Sequence, residues 1–239
     1  MATPNPTARA IFNGCSQATD AAIAGGLHQD RTRQGLHHAV TRINDYADDS
    51  IAAYQADFAR QQGGTLACQA GCAFCCFGPV HLSPIELLNI VLYLDSPAVG
   101  GAQRALVQTH VERHDTRVAA MSLTERIHTA IACPFLEECQ CGIYAVRPLF
   151  CRGRNSVTQA PCQAGMQDPG QPVSLEMLSE QTLVGQCLEL GILQALQKIA
   201  LPFHCLDLSR AMALAFATPD LVERWLGGEN ALQSVEVRS

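Results

Sequence analysis

Apolar residues recur every three or four positions along much of the chain, the pattern of helices that bury one face. The clearest run extends from Arg33 to Gln62. Its apolar positions are Leu36, Val40, Ile43, Ala47, Ile51, Tyr54 and Phe58. Gly63 and Gly64 follow directly, and glycine commonly ends a helix because it adopts the left-handed conformation without strain. The pattern therefore predicts one long amphipathic helix over 33–62.

Two further helices carry explicit start signals. The segments Ser83-Pro-Ile-Glu86 and Ser122-Leu-Thr-Glu125 each place Ser at the N-cap and Glu three residues later, which is a capping box. They predict helices over about 84–94 and 123–132, the first apolar on nearly every face and therefore buried. The remaining helices are predicted to begin at about Gly101 and to cover about 174–200, 209–217 and 219–225.

Three segments lack a helical period. Residues 1–30 are predicted to form a loose arm or weak helix, and 228–239 a polar tail. Residues 133–172 are rich in Pro, Gly and Cys, which predicts irregular structure that something must hold together. The expected fold is all-α: a single helical domain over 31–227 in which two irregular cysteine-rich loops converge on a metal site, with its motif core at 63–162.

Charge and composition narrow the function. The net charge of −6 argues against a nucleic-acid or anionic-membrane partner. The start of the chain lacks a basic region followed by an apolar run, and the apolar stretch 85–94 is too short to span a bilayer. We therefore expect a cytoplasmic location. Lys198, the only lysine, lies inside an apolar helical pattern, which disfavours Schiff-base or P-loop chemistry.

The cysteines point to a specific chemistry. Cys68, Cys72, Cys75 and Cys76 occur within nine residues, and a short loop has too little buried volume to hide four thiols. Adjacent cysteines do not easily pair, because a disulfide needs a particular approach of the two Cβ atoms. In a reducing compartment, clustered thiols indicate metal ligation, by zinc or by an iron–sulfur centre.

A second loop adds five cysteines, so that the two loops hold nine of the twelve. These are Cys133, Cys139, Cys141, Cys151 and Cys162. A thiolate-rich tetrahedral site needs about four ligands, so nine thiols would be enough for two sites. Cys15 is expected to be an incidental thiol, and Cys187 and Cys205 core residues. Among the histidines, only His81 is close enough in sequence to touch the cluster.

The ordered motifs resemble those of the YkgJ-type cysteine-cluster family. The first loop is followed by Cys133-Pro-Phe-Leu136 and by Cys141-Gly-Ile-Tyr144, Arg147-Pro148 and Cys151-Arg152. That family is also described as a zinc- or iron-chelating domain and as an Fe–S-cluster-containing protein. The resemblance covers roughly 68–151, and its first spacing, Cys68 to Cys72, is one residue longer than in the tighter form of the motif. It implies seven metal-binding positions: Cys68, Cys72, Cys75, Cys76, Cys133, Cys141 and Cys151.

Arg147 and Arg152 carry over as motif residues. Several thiolates around a metal create excess negative charge, because each cysteine ionises to bind. Both arginines are expected to offset this charge and to donate hydrogen bonds to the sulfurs. The alternative is that they are ordinary surface residues of the loop.

Three functions fit these residues. The first is a protein that holds an iron–sulfur or iron centre for redox chemistry, metal handling or metal-dependent modification. The second is a structural zinc protein whose helices serve a protein partner. The third is a SAM-dependent metalloenzyme, because Cys68, Cys72 and Cys75 match the radical-SAM pattern. There the motif follows a strand of a β/α barrel, whereas here it follows a predicted helix, which disfavours that assignment. Whether the protein is an enzyme stays open.

Overall fold

The structure is a computed structural model that describes residues 6–28, 31–69 and 71–237. It confirms an all-α fold. The helices are α1 (Pro6–Ile23), α2 (Arg33–Gln62), α3 (Pro84–Leu94), α4 (Gly101–Val118), α5 (Leu123–Ile127), α6 (Leu149–Gly153), α7 (Ala160–Gln167), α8 (Ser179–Lys198), α9 (Leu208–Ala217) and α10 (Leu221–Leu226). Four two-residue strands form two antiparallel pairs: β1 (His81–Leu82) with β4 (Leu206–Asp207), and β2 (Leu136–Glu137) with β3 (Gln140–Cys141).

Helix α2 has the predicted bounds, and its ends explain why. The Thr32 side chain accepts a hydrogen bond from Gly35 N, and Gly63 adopts a left-handed conformation with φ 69°. Leu36, Ala39, Val40, Ile43, Ala47 and Ile51 form its buried face. The long helix therefore lies against the core and delivers the chain directly to the first cysteine loop.

Of the two structures predicted for the N-terminal segment, a loose arm or a weak helix, the described residues form a helix. Residues 6–23 form α1, which packs against α8 and α2. Ile11, Cys15, Ala22 and Ile23 are buried on one face, and this narrow stripe among Ala, Thr and Asn was too weak to read as a period. Residues 1–5, 29 and 30 of the predicted arm lie outside the described residues.

The C-terminal segment also packs more closely than a polar tail. Leu232 and Val235 are buried, and Val237 N donates a hydrogen bond to Cys205 O at 2.8 Å. Trp225 of α10 is fully buried, and its indole N–H donates to Pro202 O. Leu232 and Val235 therefore anchor this segment to the core, although most of its described residues are exposed. Residues 238 and 239 lie outside the described residues.

The segment predicted to be irregular contains two short helices and one hairpin. Strands β2 and β3 are joined by Glu138 and Cys139, which both have positive φ, 47° and 61°. Positive φ at both turn residues matches the right-handed twist of a two-residue hairpin, although neither residue is glycine or asparagine. Helix α6 then packs on α8, where an added Cβ at Gly185 would lie 3.0 Å from Leu149 O. Only a glycine allows this close approach.

Glu86 connects the helical frame to the cysteine-rich segment. Its side chain closes the capping box of α3 by accepting hydrogen bonds from Ser83 N at 2.8 Å and Ser83 Oγ at 2.6 Å. It also accepts a hydrogen bond from Leu149 N at 2.7 Å, across 63 residues of sequence. Burial raises the pKa of the fully buried Glu86 carboxyl, with a further contribution from the charge of Glu189. No helix within the described residues is long and apolar enough to cross a membrane.

We predict that Glu86→Ala destabilises the protein by about 2–4 kcal/mol, because it leaves buried N–H groups of Ser83 and Leu149 without an acceptor. Glu125, in the equivalent but exposed capping box of α5, provides the matched control. Chemical denaturation of the two alanine variants should show a much larger loss for Glu86→Ala. Equal losses would contradict a connecting role for Glu86.

Candidate metal centre

The two cysteine loops meet through their backbones. Cys133 N donates a hydrogen bond to Cys76 O at 2.7 Å, and Ile131 N donates to Phe77 O at 3.2 Å. Cys75, Cys76 and the flanking phenylalanines form one turn of 3₁₀-helix, Phe74–Phe77. The start of the second loop therefore runs beside the end of the first.

A second contact joins the first loop to the chain beyond α6. Ala67 N donates to Ser156 O at 3.0 Å, and Ser156 N donates to the Cys68 sulfur at 3.2 Å. Backbone N–H groups that point at a sulfur favour its thiolate form. The first loop is thus held at both ends by segments that follow it by about sixty to ninety residues.

Four thiols line one cavity between the first loop, α6, α7 and α8: Cys68, Cys72, Cys75 and Cys162. We name them the cavity thiols. Burial raises the pKa of Cys68 to about 11, and the charges of the other three cavity thiols act in the same direction. Cys162, on α7, therefore faces the cysteines of the first loop.

The other four cysteines of interest, which we name the inner thiols, lie around the junction of the two loops: Cys76, Cys133, Cys141 and Cys151. Burial raises the pKa of Cys133 to about 12, and the charge of Cys141 contributes. Burial also raises the pKa of Cys151 strongly, with contributions from Cys133, Cys75 and Cys141. Mutual repulsion among thiolates of this kind is what a bound cation relieves.

The thiols lie in two groups, but neither group has the geometry of a metal coordination shell. Across residues 6–28, 31–69 and 71–237, no three His, Cys, Asp or Glu side chains are arranged to hold a metal ion. All cysteines of the described chain are free thiols. The seven ligand positions implied by the family resemblance stay a prediction. The structure divides them between the cavity thiols and the inner thiols.

The adjacent residues Cys75 and Cys76 belong to different groups. Cys75 lines the cavity, whereas Cys76 contacts Cys133 through its backbone. A hydrogen bond from the Cys76 thiol lowers the pKa of Cys75 to about 6, and the nearby Arg154 guanidinium contributes. The same hydrogen bond raises the pKa of Cys76. This hydrogen bond therefore favours the thiolate form of Cys75 over that of Cys76.

The two motif arginines, Arg147 and Arg152, make different contacts in the second loop. Arg152 is buried and donates to both carboxylate oxygens of Asp48 at 2.5 Å, and also to Ala145 O and Arg147 O. Arg147 lies over the Tyr144 ring at 3.9 Å. Burial raises the pKa of Cys141, and the charge of Arg147 opposes this. Arg152 thus holds the 145–147 backbone against α2, and Arg147 partly offsets the thiolate charge.

Arg154 was missed at the sequence level. Its guanidinium lies 4.4 Å from the centre of the Phe150 ring, and it lowers the pKa values of Cys75 and Cys151 against the effect of burial. Its position two residues past the motif arginine Arg152 was the available signal. Arg154 therefore favours the thiolate forms of Cys75 and Cys151, which burial opposes.

The remaining cysteines differ in how deeply they are buried. Cys139 is exposed at the tip of the β2–β3 turn. Cys15 is fully buried against α8, where its thiol faces Val184 O, so it is a core residue instead of an incidental thiol. Cys187 is half-buried against the core, and Cys205 is exposed. His81 lines the same cavity as the cavity thiols, as its sequence position suggested.

Fold and sequence together define a helical protein with a cysteine-rich segment. Residues 67–168 match the model of the CxxCxxCC family, described as "Putative zinc- or iron-chelating domain". This confirms the resemblance seen in the sequence. The match covers less than half of the chain, and both Cys68 and Cys162 fall inside it. No curated protein and no solved structure matches the chain significantly.

The pKa difference predicts selective alkylation of the metal-free protein. The pKa of Cys75 is lowered to about 6, whereas the pKa of Cys68 is raised to about 11. Only the thiolate reacts, so iodoacetamide should modify Cys75 at a rate that rises through pH 6 and is constant above about pH 7, whereas Cys68 should react slowly until strongly alkaline pH.

Peptide mass spectrometry after short alkylation at a series of pH values measures both rates. Arg154→Gln should move the Cys75 midpoint to higher pH, because it removes a cation that favours the thiolate. Identical pH profiles for Cys75 and Cys68 would contradict the lowered pKa of Cys75.

Proposed function

We propose that residues 67–168 hold iron, most simply as iron–sulfur centres, through thiolates of the two joined loops. The observation that carries the proposal is the division of eight cysteines into the cavity thiols and the inner thiols. The adjacent residues Cys75 and Cys76 lie in different groups. Each group has four thiols, the number that a tetrahedral zinc site or a cubane cluster requires.

The chemistry of the donors fits such a centre. The donor set consists of soft sulfur atoms, which select zinc, iron–sulfur clusters or copper(I) over hard cations. Arg147 and Arg154 supply positive charge beside thiols whose burial otherwise opposes ionisation. When bound, an iron–sulfur centre would supply one-electron redox chemistry; the protein side chains ionise, shield and orient the sulfur ligands.

Two four-thiol groups that are joined at adjacent residues, Cys75 and Cys76, favour iron over structural zinc. A structural zinc site is satisfied by four ligands that need no neighbour. Adjacent residues placed in different groups would instead bring two centres close together, which suits a multinuclear arrangement. Electron transfer, metal delivery and metal-dependent modification all remain compatible with this site.

Anaerobic purification tests the metal identity. We expect a brown protein with broad visible absorption, iron by elemental analysis, and acid-labile sulfide. A colourless protein with stoichiometric zinc would refute the iron proposal. The same thiols would then be ligands of zinc.

Cys72→Ser should lower the metal content by about half, because it removes one of four donors from the cavity thiols. Cys205→Ser is the matched control, since Cys205 is an exposed thiol outside the matched domain. Metal analysis of both purified variants measures the effect. Equal metal content in the two would refute the assignment of Cys72.

Cys162 is one of the cavity thiols, but it is not among the seven metal-binding positions that the resemblance implies. Its substitution therefore tests which of the two sets holds the metal. We expect Cys162→Ser to lower the metal content as Cys72→Ser does, because both thiols line the cavity. Cys139→Ser should retain the wild-type content, because Cys139 lies exposed at a turn. The opposite pattern would show that the cavity thiols are wrongly grouped.

A further inference from the structure

The chain between α6 and α8 contributes to the wall of the cavity without entering the core. None of residues 158–176 is buried, although Cys162 and Leu175 both line the cavity. Asn155 before this segment and Gln181 after it are buried. We name residues 158–176 the flap.

The two ends of the flap are held together at its base. Val157 N donates a hydrogen bond to Glu176 O at 2.8 Å. The buried Asn155 amide donates to Leu178 O at 3.1 Å, and its oxygen accepts from Leu178 N at 2.7 Å. The chain therefore leaves and rejoins the helical frame at one place, which is the arrangement of a compact surface loop that moves as a unit.

Beyond this base, few contacts hold the flap closed. Its helix, α7, packs mainly on the 3₁₀ turn Phe74–Phe77 of the first loop. Val173 packs on α7 at Gly165, where an added Cβ would lie 3.1 Å from the Val173 side chain. The extended part of the flap and α7 thus form one body. Segments with few buried apolar contacts open at a small part of the free energy of global unfolding.

Metal binding requires the cavity thiols to move. Within the described residues, no three ligating side chains are arranged to hold a metal ion. The Cys68 sulfur accepts a hydrogen bond from Ser156 N at 3.2 Å, and Cys75 lies in the 3₁₀ turn. Cys162 is the cavity thiol on the flap, so motion of the flap about its base changes the distance from Cys162 to the other three.

We propose that the flap is a lid over the metal, which opens readily in the metal-free protein and is held closed when Cys162 binds the same metal as the first-loop cysteines. The Cys162 thiol loses its proton to water as its sulfur binds. This bond forms only in the closed arrangement, so it shifts the equilibrium toward that arrangement. The open flap admits the metal, and the closed flap slows its loss. The inference rests on metal binding by the cavity thiols, but it holds for zinc as well as for iron.

Hydrogen–deuterium exchange of the full-length, reduced protein with and without Zn²⁺ tests the proposal. An isolated helix of eight residues is marginally stable in water, so the α7 amides are protected only while the flap is closed. Saturating Zn²⁺ should slow exchange in peptides that cover 160–167 about tenfold, because the bound metal stabilises the closed form. Exchange in 36–51 of α2 should not change. Unchanged exchange in 160–167, under conditions where Zn²⁺ protects the first-loop cysteines from alkylation, would overturn the lid.

Cys162→Ser separates closure of the lid from metal binding. In this variant, Zn²⁺ at a concentration that protects the other cavity thiols from iodoacetamide should leave exchange in 160–167 at the metal-free rate. Cys139→Ser changes an exposed thiol outside the flap and should show the same slowing as the wild-type protein. Slowing in Cys162→Ser equal to that of the wild type would refute the role of Cys162 in closure.

Alkylation and exchange report separately on the two proposals. If Zn²⁺ does not protect the cavity thiols of the wild-type protein, metal binding by these thiols is refuted, and the lid with it. If Zn²⁺ protects them without slowing exchange in α7, the lid alone is refuted and the metal site stands.

Discussion

The buried carboxylate of Glu86 is the interaction on which the arrangement of the cysteine loops depends. A carboxylate away from water is stable only when its oxygens receive enough hydrogen bonds, and Glu86 receives them from Ser83 and from the backbone of Leu149. One set of partners begins α3, and the other begins α6. A single side chain therefore links the helical frame to the motif segment.

Arg152 acts in the same way on the other side of the motif. It is buried, and its guanidinium binds Asp48 of α2 and two carbonyl oxygens of the segment that carries Arg147. The three arginines thus have two different roles. Arg147 and Arg154 offset the charge at the sulfurs, whereas Arg152 holds the 145–147 backbone against α2.

The sequence predicted the elements whose causes are local. The caps of α2 and α3 lie within a few residues of the helices that they begin or end, and both bounds were predicted correctly. The N-terminal helix was harder to predict, because its burial depends on α8, about 170 residues away. The grouping of the thiols shows the same limit: Cys162 joins Cys68 only because α7 returns to the first loop.

The packing of α6 on α8 has a consequence for synthesis of the chain. Gln181 of α8 donates to Arg152 O and Arg154 O, and Leu178 N donates to Asn155. Helix α8 follows both cysteine loops in the chain, so these contacts form only after residues 179–198 have left the exit tunnel. The sulfurs reach their folded arrangement only at that stage. Insertion of a metal into the folded site would accordingly be one of the last steps in the maturation of this protein.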